Sequence, residues 1–191
     1  MQNVIGRRAG HLKALLYGLT VMAWTGLAHA QSPSMSDDER RKLIEAVVAV
    51  TPEEVRVAVS DRTNMVYDTV HGTQVEFTSA DGRAFLWYPG NSVILPGAWK
   101  IDRMTRTLGG MPREHTVLCF RYTENSYNPA TGHSGADWEC NMAYFYINKA
   151  RRTESVGGDV LGLATMGRPP FKLTRDKTTL AELAARITRG K

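Results

Sequence analysis

The stretch Gly72–Tyr88, GTQVEFTSADGRAFLWY, joins two runs rich in β-branched and aromatic residues through Ser79-Ala80-Asp81-Gly82. Apolar runs bounded by turn formers read as strands. Asp81-Gly82 is the strongest turn signal in the chain, because both central residues of a two-residue type I′ turn need positive φ. It predicts a hairpin. With a two-residue loop, Phe77 faces Leu86 and Val75 faces Tyr88, while the other side sets Thr78 beside Phe85 and Glu76 beside Trp87. A slip of one residue joins Phe77 to Phe85 and Val75 to Trp87 instead. In either register both sides of the ribbon are hydrophobic, which places it centrally in a sheet, covered on two sides. The apolar stripe of the first predicted helix is suited to cover one of them. Two readings of Phe85-Leu86-Trp87-Tyr88 stay open: core, or a groove in which Phe85 and Trp87 meet a ligand.

Outward from this hairpin, residues 65–67, 97–101, 116–122 and 142–148 also read as strands, with a possible seventh near 160–164. The connections are mostly short, which favours an antiparallel meander over a parallel sheet with long crossovers. Helices flank the strands. Ser36-Asp37-Asp38-Glu39 has the pattern of a capping box, followed by Leu43, Ile44, Val47 and Val48 on one stripe. Thr51-Pro52-Glu53-Glu54 repeats the start signal with proline at the first helical position, predicting a second helix within residues 36–59. Thr179 and Glu182 cap a third over residues 179–189, with Leu180, Leu183 and Ile187 on one face.

Residues 1–30 hold no acidic residue, begin with Arg7, Arg8 and Lys13, run through an apolar middle and end in Ala28-His29-Ala30. That is the pattern of a secretory signal peptide cleaved before Gln31. The apolar run falls short of the roughly twenty residues of a membrane span, so no stable span is expected after cleavage. Residues 31–35 read as a flexible lead-in and residues 36–191 as one β-rich domain. Loss of the leader takes the formal charge from +5 to +2, which removes most of the case for nucleic acid as a partner. The expected location is the periplasm or the secreted fraction. In such a compartment the two cysteines, Cys119 and Cys140, read as one disulfide.

The polar loop before Cys140 is the next candidate site. It carries Tyr127, His133, Asp137, Trp138 and Glu139 within a Gly/Asn/Pro-bearing segment, and long ordered loops often serve function. His133, Asp137 and Glu139 are the clustered candidates for acid–base work. One His with two carboxylates lacks the spacing of a metal site, so neither a metal nor a cofactor is expected. No Gly-x-Ser-x-Gly elbow and no phosphate-binding glycine loop is present. Tyr127 and Trp138, with Phe85, Trp87 and Trp99, are the candidate ligand-binding aromatics, a mixture suited to sugar or peptide surfaces.

The segments Gly72-Thr73 to Phe77, Asp81-Gly82-Arg83, Gly97-x-Trp99, Cys119-Phe120-Arg121-Tyr122 and Trp138-Glu139-Cys140 together resemble small exported proteobacterial proteins grouped as domain of unknown function 995, or a similar set. The resemblance spans roughly residues 64–164. It implies a small β-rich envelope protein with a disulfide, and it carries no activity and no catalytic residues.

The fold expected is therefore α+β: an antiparallel β-meander or half-open, lipocalin-like barrel with helices at both ends. The function expected is a non-catalytic binding or structural module of the periplasm or envelope, with an envelope sugar, a peptide or an exported protein as partner. A small hydrolase or lyase acting on cell-wall or polysaccharide substrate is the alternative, and an inhibitor or chaperone of another exported protein is a third.

Overall fold

In the computed structural model, residues 35–126, 132, 134–148 and 152–190 are described. The predicted leader and lead-in up to residue 34 lie outside them, as do Tyr127 and His133. The chain first forms α1 (Asp37–Ala49) and α2 (Pro52–Val59), then β1 (Arg62–Asp68), β2 (Gly72–Thr78), β3 (Arg83–Trp87), β4 (Leu95–Leu108) and β5 (Met111–Tyr122). There follow β6 (Glu139–Met142), α3 (Ala143–Ile147), β7 (Arg152–Gly157), α4 (Leu163–Met166) and α5 (Leu180–Arg189). The three capping boxes at Ser36, Thr51 and Thr179 are all formed: each hydroxyl accepts from the N3 amide, and each N3 glutamate accepts from the cap amide. They satisfy amides that a helix start otherwise leaves without partners.

The strands make one antiparallel sheet in the order β6-β5-β4-β3-β2-β1-β7. Strands β1 to β6 follow one another as a meander, and β7 returns to the free side of β1. Edges β6 and β7 do not meet, so the sheet stays open. The central hairpin takes the slipped register, with Phe77 opposite Phe85 and Val75 opposite Trp87. The reason lies in the turn. Ser79 N–H donates to the Arg83 carbonyl and Gly82 N–H donates to the Ser79 carbonyl, closing a three-residue loop. Gly82 has φ +86° while Asp81 does not adopt positive φ, which is a type I turn followed by a left-handed bulge residue. The two-residue loop with both residues at positive φ occurs instead at Gly109-Gly110, φ +61° and +83°, between Leu108 and Met111.

Strands β4 and β5 run well beyond the expected 97–101 and 116–122, forming a long hairpin whose distal part is exposed and charged. Two other expectations are corrected. The run 142–148 is strand only through Met142 and then becomes α3, which turns Tyr144, Tyr146 and Ile147 toward a cluster around Val50, Val59 and Trp99. Packing outweighs the β propensity of its aromatics there. The seventh strand is Arg152–Gly157, whereas the segment around 160–164 leads into α4, whose first amides Leu163 and Ala164 donate to the Asp159 carboxylate.

Both faces of the central hairpin are covered, but by different partners from those the helical stripe suggested. Met65, Val75, Phe77, Phe85 and Trp87 pack beneath Leu163, Leu180, Leu183 and Ile187 of the C-terminal helices. Helix α1 lies against β5, and a Cβ at Gly109 would meet Ile44 Cδ1 at 2.9 Å. The opposite face packs Ala84, Trp99 and Leu118 under α2 and α3 over part of its length. Over the rest it is hollow. Cys119 and Cys140, directly opposite each other on β5 and β6, form the predicted disulfide.

Candidate functional site

On that second face, even-numbered residues of β1 to β3 and their neighbours on β5 and β6 point the same way, since side chains alternate along each strand. Register places Asn64 across from Glu76 and Glu76 across from Leu86. These residues line a cavity of about 1320 Å³, bordered also by α3, the 88–96 connection and, among the described residues, Thr123, Ser126, Ser134, Gly135 and Asp137. Cavities that hold small ligands are mostly apolar with a few placed polar groups. Leu86, Leu95, Leu118, Phe120, Met142 and Phe145 supply the apolar wall here.

The polar group at its floor is Glu76, only 8% exposed. Tyr122 donates its hydroxyl to Glu76 Oε1, and Tyr146 donates to Oε2 at 3.2 Å. Burial pushes the carboxyl up to about 7 against the two tyrosine hydrogen bonds, which favour the ionised form. The Tyr122 phenol is itself held well above its ordinary range by burial and by the adjacent Glu76 carboxylate. Tyr122 reaches the floor because Gly97 sits directly across from it on β4 with no side chain in the way. Phe120 stacks on Tyr122 at 6.5 Å between centroids and lies tilted on Tyr146 at 5.6 Å, so three rings make one wall.

Asn64 completes the floor. It is 1% exposed, and its Oδ1 accepts from Ser155 Oγ at 2.8 Å. Its Nδ2 has no partner among the described residues. Farther along the lining, His71 Nδ1 and the Tyr88 hydroxyl lie 2.8 Å apart, and partial burial raises the Tyr88 phenol.

The candidates named from sequence separate into four sets. Asp137 and Glu139 line the cavity. Phe85, Trp87 and Trp99 do not: Phe85 and Trp87 belong to the core under the C-terminal helices, with Trp87 5.1 Å from the Phe171 ring, and Trp99 donates from Nε1 to the Ser79 carbonyl beneath α2. Trp138 lies under the guanidinium of Arg121 at 4.7 Å and the ammonium of Lys100 at 5.1 Å, an outward cation–π stack. Tyr127 and His133 fall outside the described residues. Among the described residues no three His, Cys, Asp or Glu side chains converge as metal ligands, and no described helix is long and apolar enough to cross a membrane.

Glu76, Tyr122, Tyr146 and Asn64 were not singled out by sequence. One signal was legible. Glu76 lies opposite the apolar run Phe85–Tyr88 in a ribbon read as covered on two sides, where a carboxyl needs hydrogen-bond partners. The partners themselves, Tyr122 and Tyr146, come from β5 and α3, far along the chain from β2.

The geometry defines a class only at the level of fold: a small α+β protein with an open antiparallel sheet and a lined cavity on one face. No family model, no curated protein and no solved structure matches the chain.

Proposed function

We propose that this protein is an exported binding module of the periplasm or cell envelope that holds a small amphipathic molecule in the cavity over β1 to β3. The observation that carries this reading is the pairing of a largely apolar cavity of about 1320 Å³ with one buried hydrogen-bonding cluster, Glu76, Tyr122 and Tyr146, at its floor. Apolar walls supply affinity, and a few oriented polar groups select the ligand. The Cys119–Cys140 cross-link is compatible with an oxidising compartment, as is the leader pattern in residues 1–30.

The test is native mass spectrometry of the oxidised protein against a panel of envelope sugars, short peptides and single-chain amphiphiles. Wild type should retain an adduct that is lost in Leu86→Trp, which sets an indole across the ladder from Glu76 at the cavity floor. If no adduct forms with any panel member, or if Leu86→Trp retains it, the binding site lies elsewhere and the reading fails.

A hydrolase or lyase acting on cell-wall polysaccharide is the second reading, favoured by one feature. A carboxyl held at about 7 is suited to general acid–base work near neutral pH, and Asp137 and Glu139 line the same cavity. Turnover of peptidoglycan or a polysaccharide that disappears in Glu76→Gln would establish it. Retention of an unaltered ligand supports the binding module instead.

A further inference from the structure

We infer that the ligand of this cavity presents an organic ammonium to Glu76 and an oxygen acceptor to Asn64, its cross-strand neighbour. The inference rests on the binding reading and sharpens it. Glu76 is buried, yet its partners are two neutral phenols, and no ion pair reaches it among the described residues. A carboxylate taken out of water gains most from an opposite charge at close range. The wall beside it is made of Phe120, Tyr122 and Tyr146, whose ring faces attract a cation, most strongly where water is excluded. Across the β1–β2 ladder, Asn64 Nδ2 is a buried donor in the cavity lining with no acceptor. A buried donor without a partner carries a desolvation cost that a ligand oxygen would remove. An amino alcohol satisfies both groups at once, either free or as the headgroup of a lipid, for which Leu86, Leu95 and Met142 leave an apolar wall.

The charged and titratable groups that face this floor are few. Tyr122 and Tyr146 contact Glu76, and Glu139 in the lining raises the Tyr122 phenol. His71, Asp137, Arg121 and Arg168 line the cavity farther out. Because burial holds the Glu76 proton up to about 7, a permanently charged ligand should bind better as that proton leaves.

The experiment is isothermal titration of the oxidised protein with choline and with its neutral carbon isostere, in which a tert-butyl group replaces the trimethylammonium. Measurements are made one pH unit above and one below 7. Choline should bind roughly tenfold or more tightly than the isostere, and more tightly at the higher pH. Glu76→Gln, checked for folding by circular dichroism, should erase the preference. The two-pH comparison on wild type stands alone if that variant does not fold. A single-chain phosphocholine amphiphile below its micelle concentration distinguishes the sources: tighter binding than choline assigns the ammonium to a lipid, equal binding to a free amine. If the isostere binds as well as choline, the ammonium inference is overturned while the cavity remains a binding site. If neither binds and the wider panel also fails, both readings fall.

Discussion

Gly97 and Tyr122 face each other across the β4–β5 ladder, and a Cβ at Gly97 would meet Tyr122 Cδ1 at 2.6 Å and the Arg121 carbonyl oxygen at 2.3 Å. The missing side chain on one strand is what lets the ring on the next lie across toward Glu76. Gly97→Ala should therefore cost about 2 kcal/mol in urea unfolding, the scale of overpacking in a tight core. It should also move Tyr122 away from the carboxyl. An unchanged midpoint would mean that the ring does not depend on the gap.

Glu76 gives stability a pH dependence of known sign. Its folded value, about 7, lies above the ordinary 4.5. The folded state thus holds a proton that the unfolded chain gives up between those values. Stability from this group is fully present below about 4.5 and is lost as pH rises through about 7, by on the order of 3 kcal/mol. Glu76→Gln should flatten the profile over that window. The exposed carboxylates of Asp38, Glu39, Glu54 and Glu182 are shifted downward by their hydrogen bonds, so they act at lower pH than Glu76.

The two tyrosines oppose burial by donating to the carboxylate. Tyr122→Phe should raise the Glu76 titration midpoint, and Tyr146→Phe should raise it less, in the order of their contributions. Carbon-detected NMR of the Glu76 carboxyl measures both. A downward shift in either variant would contradict the assigned hydrogen bonds.

The cross-link between Cys119 and Cys140 closes a sequence separation of 21. Replacing both cysteines by serine should lower unfolding free energy by about 3 kcal/mol through the larger entropy of the unfolded chain. Thiol titration of the native oxidised protein should find no free sulfhydryl. Reactive thiols in the folded protein would remove the cross-link from the account.

Trp87 is fully buried under the C-terminal segment. Trp87→Ala should cost roughly 3–5 kcal/mol as a cavity-forming change. Trp87→Phe should be milder and should leave binding in the cavity over β1 to β3 unchanged. Weakened binding in a folded Trp87→Phe protein would bring that face of the sheet into the site.

Local patterns were readable where a rule acts over a few residues. The capping boxes at Ser36, Thr51 and Thr179 formed because the hydroxyl and the glutamate that satisfy the free amides lie within one turn of each other. The hairpin after Phe77 was readable for the same reason, since Gly82 marks the bend. Its register was not. A type I turn with a bulge and a type I′ turn both accept Asp-Gly, and the choice between them shifts every cross-strand pair by one residue.

From the chain alone, then, one can read an antiparallel α+β fold, the paired cysteines, the helix starts, and a central hairpin hydrophobic enough to be covered on two sides. Tertiary structure decided what Glu76 meets. Tyr122 and Tyr146 reach it from β5 and α3, the Gly97 gap admits Tyr122, and Asn64 stands opposite on β1. It also moved Phe85, Trp87 and Trp99 into the core and brought Asp137 and Glu139 to the cavity wall. The physical reason is range: caps and turns are settled by neighbours along the backbone, whereas a cavity is bounded by side chains whose proximity exists only once the sheet has formed.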